Sequence, residues 1–281
     1  MTPAPPPWPR MVVNKIPVDL VSREAAMALV FDSLDTTVPL AVASANLDHI
    51  HHFGADCSWM TRPDATSGHT GTPTELRWLT LLDGFPLARR ARNLTGQKWP
   101  KLSGSDLIGP ILDRAAAAGA RVGFLGGFPD TQLQLATALR ERRPNLTVTG
   151  MWAPLRSELT DPEACRTFAE RIRAAGTEIL VVALGKPRQE QWISQYAPAT
   201  GARVLLAFGA VVDFLSGRAS RAPTWVANGG LEWAWRLARE PRRLGRRYLV
   251  EGPPALMCLE RRARLVPAGE WSNNDPGGGA P

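Results

Sequence analysis

RVGFLGGFPDTQLQLATALRER, running from Arg121 to Arg142, is the stretch on which the fold turns. Its first six residues, Arg121 to Gly126, make a short apolar run that ends in glycine, and a pattern of helical length follows from Thr131 to Arg142. A buried strand that leads through glycine into an amphipathic helix is the βα unit of a parallel sheet. The reading repeats outward in both directions. Leu40 to Ala45, Leu146 to Gly150, Glu178 to Gly185 and Arg203 to Gly209 read as further buried strands, and Asp106 to Ala118, Pro162 to Ala175 and Pro187 to Gln195 as further helices. Alternation of this kind predicts a three-layer α/β fold with a parallel sheet between two layers of helices. No fixed-period repeat interrupts it.

With 281 residues, 44% of them hydrophobic, the chain can bury one substantial core and carry an accessory segment. Its longest apolar run, Val204 to Val212, is closed by Asp213 well short of the roughly 18 residues that a spanning helix needs, so no bilayer crossing is expected. Pro3, Pro5, Pro6, Pro7 and Pro9 stand where a signal peptide would place an apolar run, and export is not expected either. Cys57, Cys165 and Cys258 are far apart and form no CxxC pair, which suits a reducing cytoplasm and suggests neither a disulfide framework nor a zinc knuckle. Between Gly217 and Leu265 there are 11 arginines against 4 glutamates, so this segment alone accounts for the formal net charge of +7. Trp225, Trp233 and Trp235 are interleaved with Arg236, Arg239, Arg242, Arg243, Arg246 and Arg247. A basic segment so confined points to contact with phosphate or anionic lipid rather than to a nucleic-acid-coating protein. The expected division is a disordered proline-rich start (1–10), an α/β domain (11–224), a basic appendage (225–266) and a disordered tail (267–281), with a polar insert from Thr61 to Thr74.

In open parallel sheets, ligands lie beyond the carboxyl ends of the strands, where helix N-termini offer N–H groups to anions. Asn46 and His49 follow one expected strand, Asp83 and Gly84 another, Gly126 and Gly127 a third, and Asp213 the last. The run Gly185-Lys186-Pro187-Arg188-Gln189-Glu190 follows a fourth. Pro187 suits a first helical turn, so Lys186 and Gln189 read as parts of a diphosphate cradle, and the Gly126–Gly127 pair would allow close backbone approach in the same way. Taken singly, each of these turns is a weak signal that reads more readily as a tight connection. Asp83 can act as a general base reached by a substrate hydroxyl, or be an ordinary turn aspartate. His49, His51 and His52 read as solvated or capping side chains rather than metal ligands. Asp-x-Asp is absent, so cations and helix ends would have to neutralise a leaving phosphate. GxGxxG, GxxxxGK[ST] and GxSxG are absent as well, which removes support for a dinucleotide dehydrogenase, a P-loop enzyme or an α/β hydrolase.

Eight blocks occur in series: SANLDH (Ser44 to His49), DG (Asp83-Gly84), LSGSDL (Leu102 to Leu107), GFLGGFPDT (Gly123 to Thr131), LGKPRQE (Leu184 to Glu190), FGAVVDFLSG (Phe208 to Gly217), RAPTW (Arg221 to Trp225) and LEWAWRLAREPRRLGRRY (Leu231 to Tyr248). In order and spacing the series resembles the WecG/TagA/CpsF glycosyltransferases, glycosyltransferase family 26, over roughly Val12 to Leu249. The resemblance implies a Rossmann-like parallel sheet flanked by helices, of the GT-E type, with a basic C-terminal helical appendage. It implies transfer, with inversion and without metal or cofactor, of N-acetylmannosamine, its uronic acid or glucose from a UDP-sugar to an undecaprenyl-diphosphate-linked saccharide in cell-wall polymer or exopolysaccharide synthesis. By match to the family's motifs, Asp83 would be the general base, and Ser44, Asn46 and Gln189 would line the sugar and diphosphate site. The loops around Gly126, Gly127, Lys186 and Asp213 would face the nucleotide, and Arg236, Arg243 and Arg246 would reach substrate diphosphates. Two residues depart from the family's preference: Ser44 stands for Thr, keeping the hydroxyl, and Lys101 stands for Arg, keeping the charge without the planar fork. The expected location is cytoplasmic, peripheral on the inner face of the membrane, with the basic segment on anionic lipid, no nucleic-acid partner, and association into a homo-oligomer left open. The rival reading is a non-catalytic adaptor that binds nucleotide-sugar or lipid phosphate on the same scaffold.

Overall fold

Alternate residues of the central strands point into two separate cores. Leu40 and Val42 of β3 (Leu40–Ala45) enter one, while Ala41 and Ala43 enter the other. The period of two is that of a sheet covered on both faces. The structure, a computed structural model, describes residues 6–54, 76–217, 232–239 and 241–270. Besides β3, its strands are β1 (Arg10–Val13), β2 (Ile16–Asp19), β4 (Arg77–Leu82), β5 (Arg121–Gly126), β6 (Thr147–Trp152), β7 (Ile179–Ala183), β8 (Val204–Ala207) and β9 (Ala263–Val266). They form one sheet in the order β6-β5-β7-β8-β3-β4-β2-β1-β9. Pairing is parallel from β6 to β2 and antiparallel on both sides of β1.

The helices are α1 (Arg23–Asp32), α2 (Leu47–Phe53), α3 (Phe85–Thr95), α4 (Gly104–Ala118), α5 (Pro129–Arg142), α6 (Pro162–Ala174), α7 (Arg188–Thr200), α8 (Val211–Leu215), α9 (Glu232–Arg239) and α10 (Pro241–Gly245). A π-helical stretch, Arg246–Glu251, then leads into α11 (Gly252–Arg262). Helices α1, α4, α5 and α8 cover one face, and α6 and α7 the other. The α4 helix shows why: Leu107, Ile108, Ile111, Leu112 and Ala115 form one fully buried stripe at helical spacing. Each of the larger side chains contributes about 1.5–3 kcal/mol by leaving water. Ser103 caps α4 by accepting from Asp106 N at 3.2 Å, and Asp106 reaches back to the Ser103 backbone, a reciprocal box that starts the helix two residues before the apolar pattern predicts.

Three strands escape the sequence reading. β1 and β2 form a hairpin through Asn14 and Lys15, whose φ of 50° and 83° suit a two-residue turn. Asp19, 1% exposed, joins this hairpin to the rest of the sheet. Its Oδ1 accepts from Arg10 Nε at 2.6 Å and Trp8 Nε1 at 2.8 Å, and its Oδ2 accepts from Thr80 N at 2.8 Å. The expected disordered start therefore loses Trp8 and Arg10 to the sheet. β9, from the far end of the chain, pairs with β1 in the register Val13↔Ala263. The expected appendage is corrected accordingly: residues 252–266 return to the α/β body, with Ala255 and Leu259 buried among residues of β1, β2, α2 and α3. The expected boundary at 224/225 and the polar insert lie outside the described residues. Residues 267–270 continue past β9, with Gly269 N donating to Pro6 O at 3.1 Å, and the rest of the expected tail is outside the description. Among the described residues no helix is long and apolar enough to cross a membrane.

Candidate active site

The carboxyl ends of β3 and β4 carry Asn46 and Asp83 side by side. Asp83 N donates to Ala45 O at 2.9 Å, which continues the β3–β4 ladder one step beyond the strands and fixes the two residues as neighbours. Asn46 then caps α2, its Oδ1 accepting from His49 N at 3.1 Å, while its Nδ2 donates to Asp83 Oδ2 at 3.4 Å. Gly84 takes φ 85° and turns the chain at once from Asp83 into α3, with Pro86 in the first turn. Leu102 N donates to Leu82 O at 2.7 Å, and this bond brings the half-buried Lys101 to the same end of β4. Gly104 opens α4 directly against Phe208 at the end of β8; a Cβ there would meet the ring at 2.6 Å.

At the end of β7 the chain turns through Gly185 and the cis Lys186–Pro187 bond into α7. Lys186 Nζ donates to Ser44 O at 2.9 Å and to Glu190 Oε1 at 2.7 Å, and lies 3.1 Å from His49 Nδ1. Gln189 is 1% exposed and donates from Nε2 to Ala207 O at 2.7 Å and Glu190 Oε1 at 3.0 Å. His49 is 1% exposed, and burial first, then the Lys186 charge, then His52 hold its pKa well below the usual histidine value. Burial thus favours the neutral imidazole, and its Nδ1 faces the Lys186 ammonium, which can only donate. Ser44 Oγ, Gln189 Oε1 and Glu190 Oε2 are buried with no hydrogen-bond partner among the described residues. The strand ends thus present a paired amide and carboxylate above a buried polar floor.

The sequence pattern described as the Glycosyl transferase WecG/TagA/CpsF family matches residues 11–267. The chain belongs to this family.

Several residues expected to form the WecG/TagA/CpsF site are brought together by the tertiary structure. Ser44, Asn46, Asp83, Lys101, Lys186 and Gln189 all stand at the carboxyl ends of β3, β4 and β7. Their directions differ from the sequence reading in three respects. Lys186 points inward, and its three donors face three internal acceptors. Gln189, in the first turn of α7, does not face outward as a cradle residue would but is sealed against β8 and Gly209. His49 is neither solvated nor merely capping.

The Gly126–Gly127 turn is tight because of the protein's own chain. At φ 110°, a Cβ on Gly126 would overlap the Ala183 carbonyl, and one on Gly127 would meet Val212 at 2.9 Å. Gln132 holds this turn, donating from Nε2 to Gly126 O and Trp152 O, each at 2.7 Å. Asp213 lies half-buried on α8, where its carbonyl accepts from Ser216 Oγ. The side chains of Arg236 and Arg243 lie outside the described residues. Arg246 is 83% exposed, and its Nε donates to Glu251 Oε1 at 2.9 Å. Arg247 reaches α2, with Nε 3.3 Å from Asp48 Oδ1. Glu190 and Arg247 carried no assigned role in the sequence reading, and His49 none in the site. The Lys186-to-Glu190 spacing of four, and the place of His49 in the first turn after an Asn cap, were the available signals for Glu190 and His49.

Proposed function

We propose that this glycosyltransferase moves a hexose from a UDP-sugar, with inversion, to an undecaprenyl-diphosphate-linked saccharide. Asp83 takes the proton of the acceptor hydroxyl as that oxygen forms its bond to the anomeric carbon. The bond from the anomeric carbon to the β-phosphate oxygen breaks on the opposite side, and UDP leaves with the electron pair. The observation that carries this reading is the Asn46–Asp83 pair at the ends of adjacent parallel strands, a carboxylate that accepts from the Asn46 amide where ligands of such sheets bind. Lys101 supplies positive charge at the same strand end for the departing diphosphate. Asn46 and Ser44 line the sugar side, and Gly126, Gly127 and Asp213 belong to the loops around the nucleotide. The reading assigns no metal and no cofactor.

The lipid-linked acceptor places the work at a membrane surface. Support comes from Leu249, Val250 and Met257, which are 66%, 63% and 54% exposed on the π-helical stretch and α11, beside exposed Arg242 and Arg246. Apolar side chains and guanidinium groups on one short helical run suit a headgroup region rich in anionic lipid.

The test is UDP release by the purified protein, with and without EDTA, over a panel of UDP-sugars and a short-chain prenyl-diphosphate-GlcNAc acceptor. Acceptor-dependent, EDTA-resistant release from one donor is the expected result. UDP binding without release from any donor would favour the adaptor reading.

A further inference from the structure

Lys186 is a cation at the mouth of a parallel sheet, yet its ammonium is fully engaged inside the protein. An ammonium carries three N–H groups. The three acceptors around Nζ come from three elements: Ser44 O on β3, His49 Nδ1 on α2 and Glu190 Oε1 on α7. Glu190 and His49 are each 1% exposed, and the Lys186 side chain is 13% exposed. The carboxylate at 2.7 Å offsets the ammonium's charge locally, so the pair presents little field to a phosphate.

What the ammonium does grip is the backbone that carries the catalytic edge. Ser44 O is two residues ahead of Asn46 on β3, and His49 is the residue whose N–H the Asn46 side chain caps. Lys186 therefore holds the strand before Asn46 and the helix after it. Asn46 in turn donates to Asp83.

We propose that Lys186, oriented by Glu190 and His49, is a positioning residue that sets Asn46 against Asp83 rather than a ligand of the substrate diphosphate. This rests on the reading of Asp83 as the base. A buried ion pair replaced by apolar residues of similar volume often leaves stability unchanged, whereas removal of one partner strands a buried charge. The double variant Lys186→Met/Glu190→Leu thus separates positioning from folding.

The experiment measures UDP affinity by calorimetry, kcat and KM by UDP release, and the Asn46 side-chain amide resonance by nitrogen NMR, with Asp83→Ala as the reference for a lost Asn46 contact. In the double variant, kcat is expected to fall about 30- to 100-fold with KM for the donor within about threefold, the scale set by small misplacements of a reacting group. UDP affinity is expected to stay within about threefold, and the Asn46 amide resonance to move as it does in Asp83→Ala. Glu190→Gln, which keeps an acceptor for the ammonium, is expected to retain more of kcat than the double variant. A tenfold or larger loss of UDP affinity would make Lys186 a diphosphate ligand and overturn the inference. An unmoved Asn46 resonance, or an unchanged kcat in a folded double variant, would reduce the cluster to a structural role. If the unaltered protein releases no UDP from any donor, the proposed function fails, while the NMR and affinity measurements still decide the placement of Lys186.

Discussion

Asn46 Nδ2 lies 3.4 Å from Asp83 Oδ2 across the ends of two parallel strands, and the Asp83 N–Ala45 O bond at 2.9 Å leaves neither residue room to slide. If Asp83 is the base, Asp83→Asn is expected to lower kcat at least about 100-fold, the scale of general base catalysis, while UDP binding persists. Asn46→Ala is expected to lower kcat with a smaller effect on UDP affinity. Steady-state UDP release and calorimetry on the same preparations check both, and parallel loss of turnover and UDP binding in Asp83→Asn would overturn the base assignment.

Asp19 is the joint between the edge hairpin and the parallel sheet, since it accepts from Trp8, Arg10 and the Thr80 backbone at once. Asp19→Ala leaves the Arg10 guanidinium, 12% exposed, and the Thr80 N–H without that partner. A loss of about 3–5 kcal/mol in denaturant unfolding is expected, as for a buried pair with one member removed. A loss below about 1 kcal/mol would mean that the hairpin contributes little to the stability of the sheet.

Acid weakens this protein through its histidines. His49 titrates well below its usual value because of burial and the Lys186 charge, and burial lowers His52 too, with Asp48 working against it. Below about pH 6.5 the unfolded chain binds protons that the folded chain does not, so stability falls with decreasing pH. His49 alone contributes a slope of up to about 1.4 kcal/mol per pH unit between that value and its folded pKa. Unfolding free energies measured from pH 7.5 to 5.0, for the unaltered chain and for His49→Gln, check the prediction: the variant should show the shallower slope.

Gly126→Ala is expected to be severely destabilising, because φ 110° disfavours any side chain and the added methyl would overlap the Ala183 carbonyl on the neighbouring strand. The expected cost is about 3 kcal/mol or more, from strain added to steric overlap in a packed core. Thermal unfolding reads it directly. A variant of unchanged stability would show that the β5–β7 contact yields easily.

Leu249→Asp/Val250→Asp places two carboxylates on the exposed apolar run beside Arg246. Flotation with vesicles containing anionic lipid is expected to show binding reduced at least about tenfold, with thermal stability unaltered because both positions are solvent-facing. Equal flotation of variant and unaltered chain would remove this face from the membrane contact.

How far the site could be read from sequence depends on what each residue's role requires. Asn46 and Asp83 were legible in place because each directly follows an apolar run that reads as a strand, while the roles expected of them came from the family resemblance. Lys186 was legible in place but not in direction. Its ammonium can swing outward to a phosphate or inward to Glu190, and only the meeting of β3, α2 and α7 decides between them. His49 looked like one of three adjacent histidines, because sequence spacing cannot report that the first turn of α2 faces the core. Arg246 and Arg247 are indistinguishable in a run of arginines, and the turn of the π-helical stretch selects Arg247 for Asp48.

By itself the sequence determined the βα alternation, the positions of the central strands and the family, since each follows from short-range periodicity and local motifs. The tertiary structure alone decided the edge of the sheet and the floor of the site. β1, β2 and β9 are four residues each and lie outside the βα alternation, and β9 pairs with β1 from the opposite end of the chain. The same holds for the buried Lys186–Glu190–His49 cluster. Strand pairing and side-chain direction depend on partners distant along the chain, and those partners exist only once the core has closed around them.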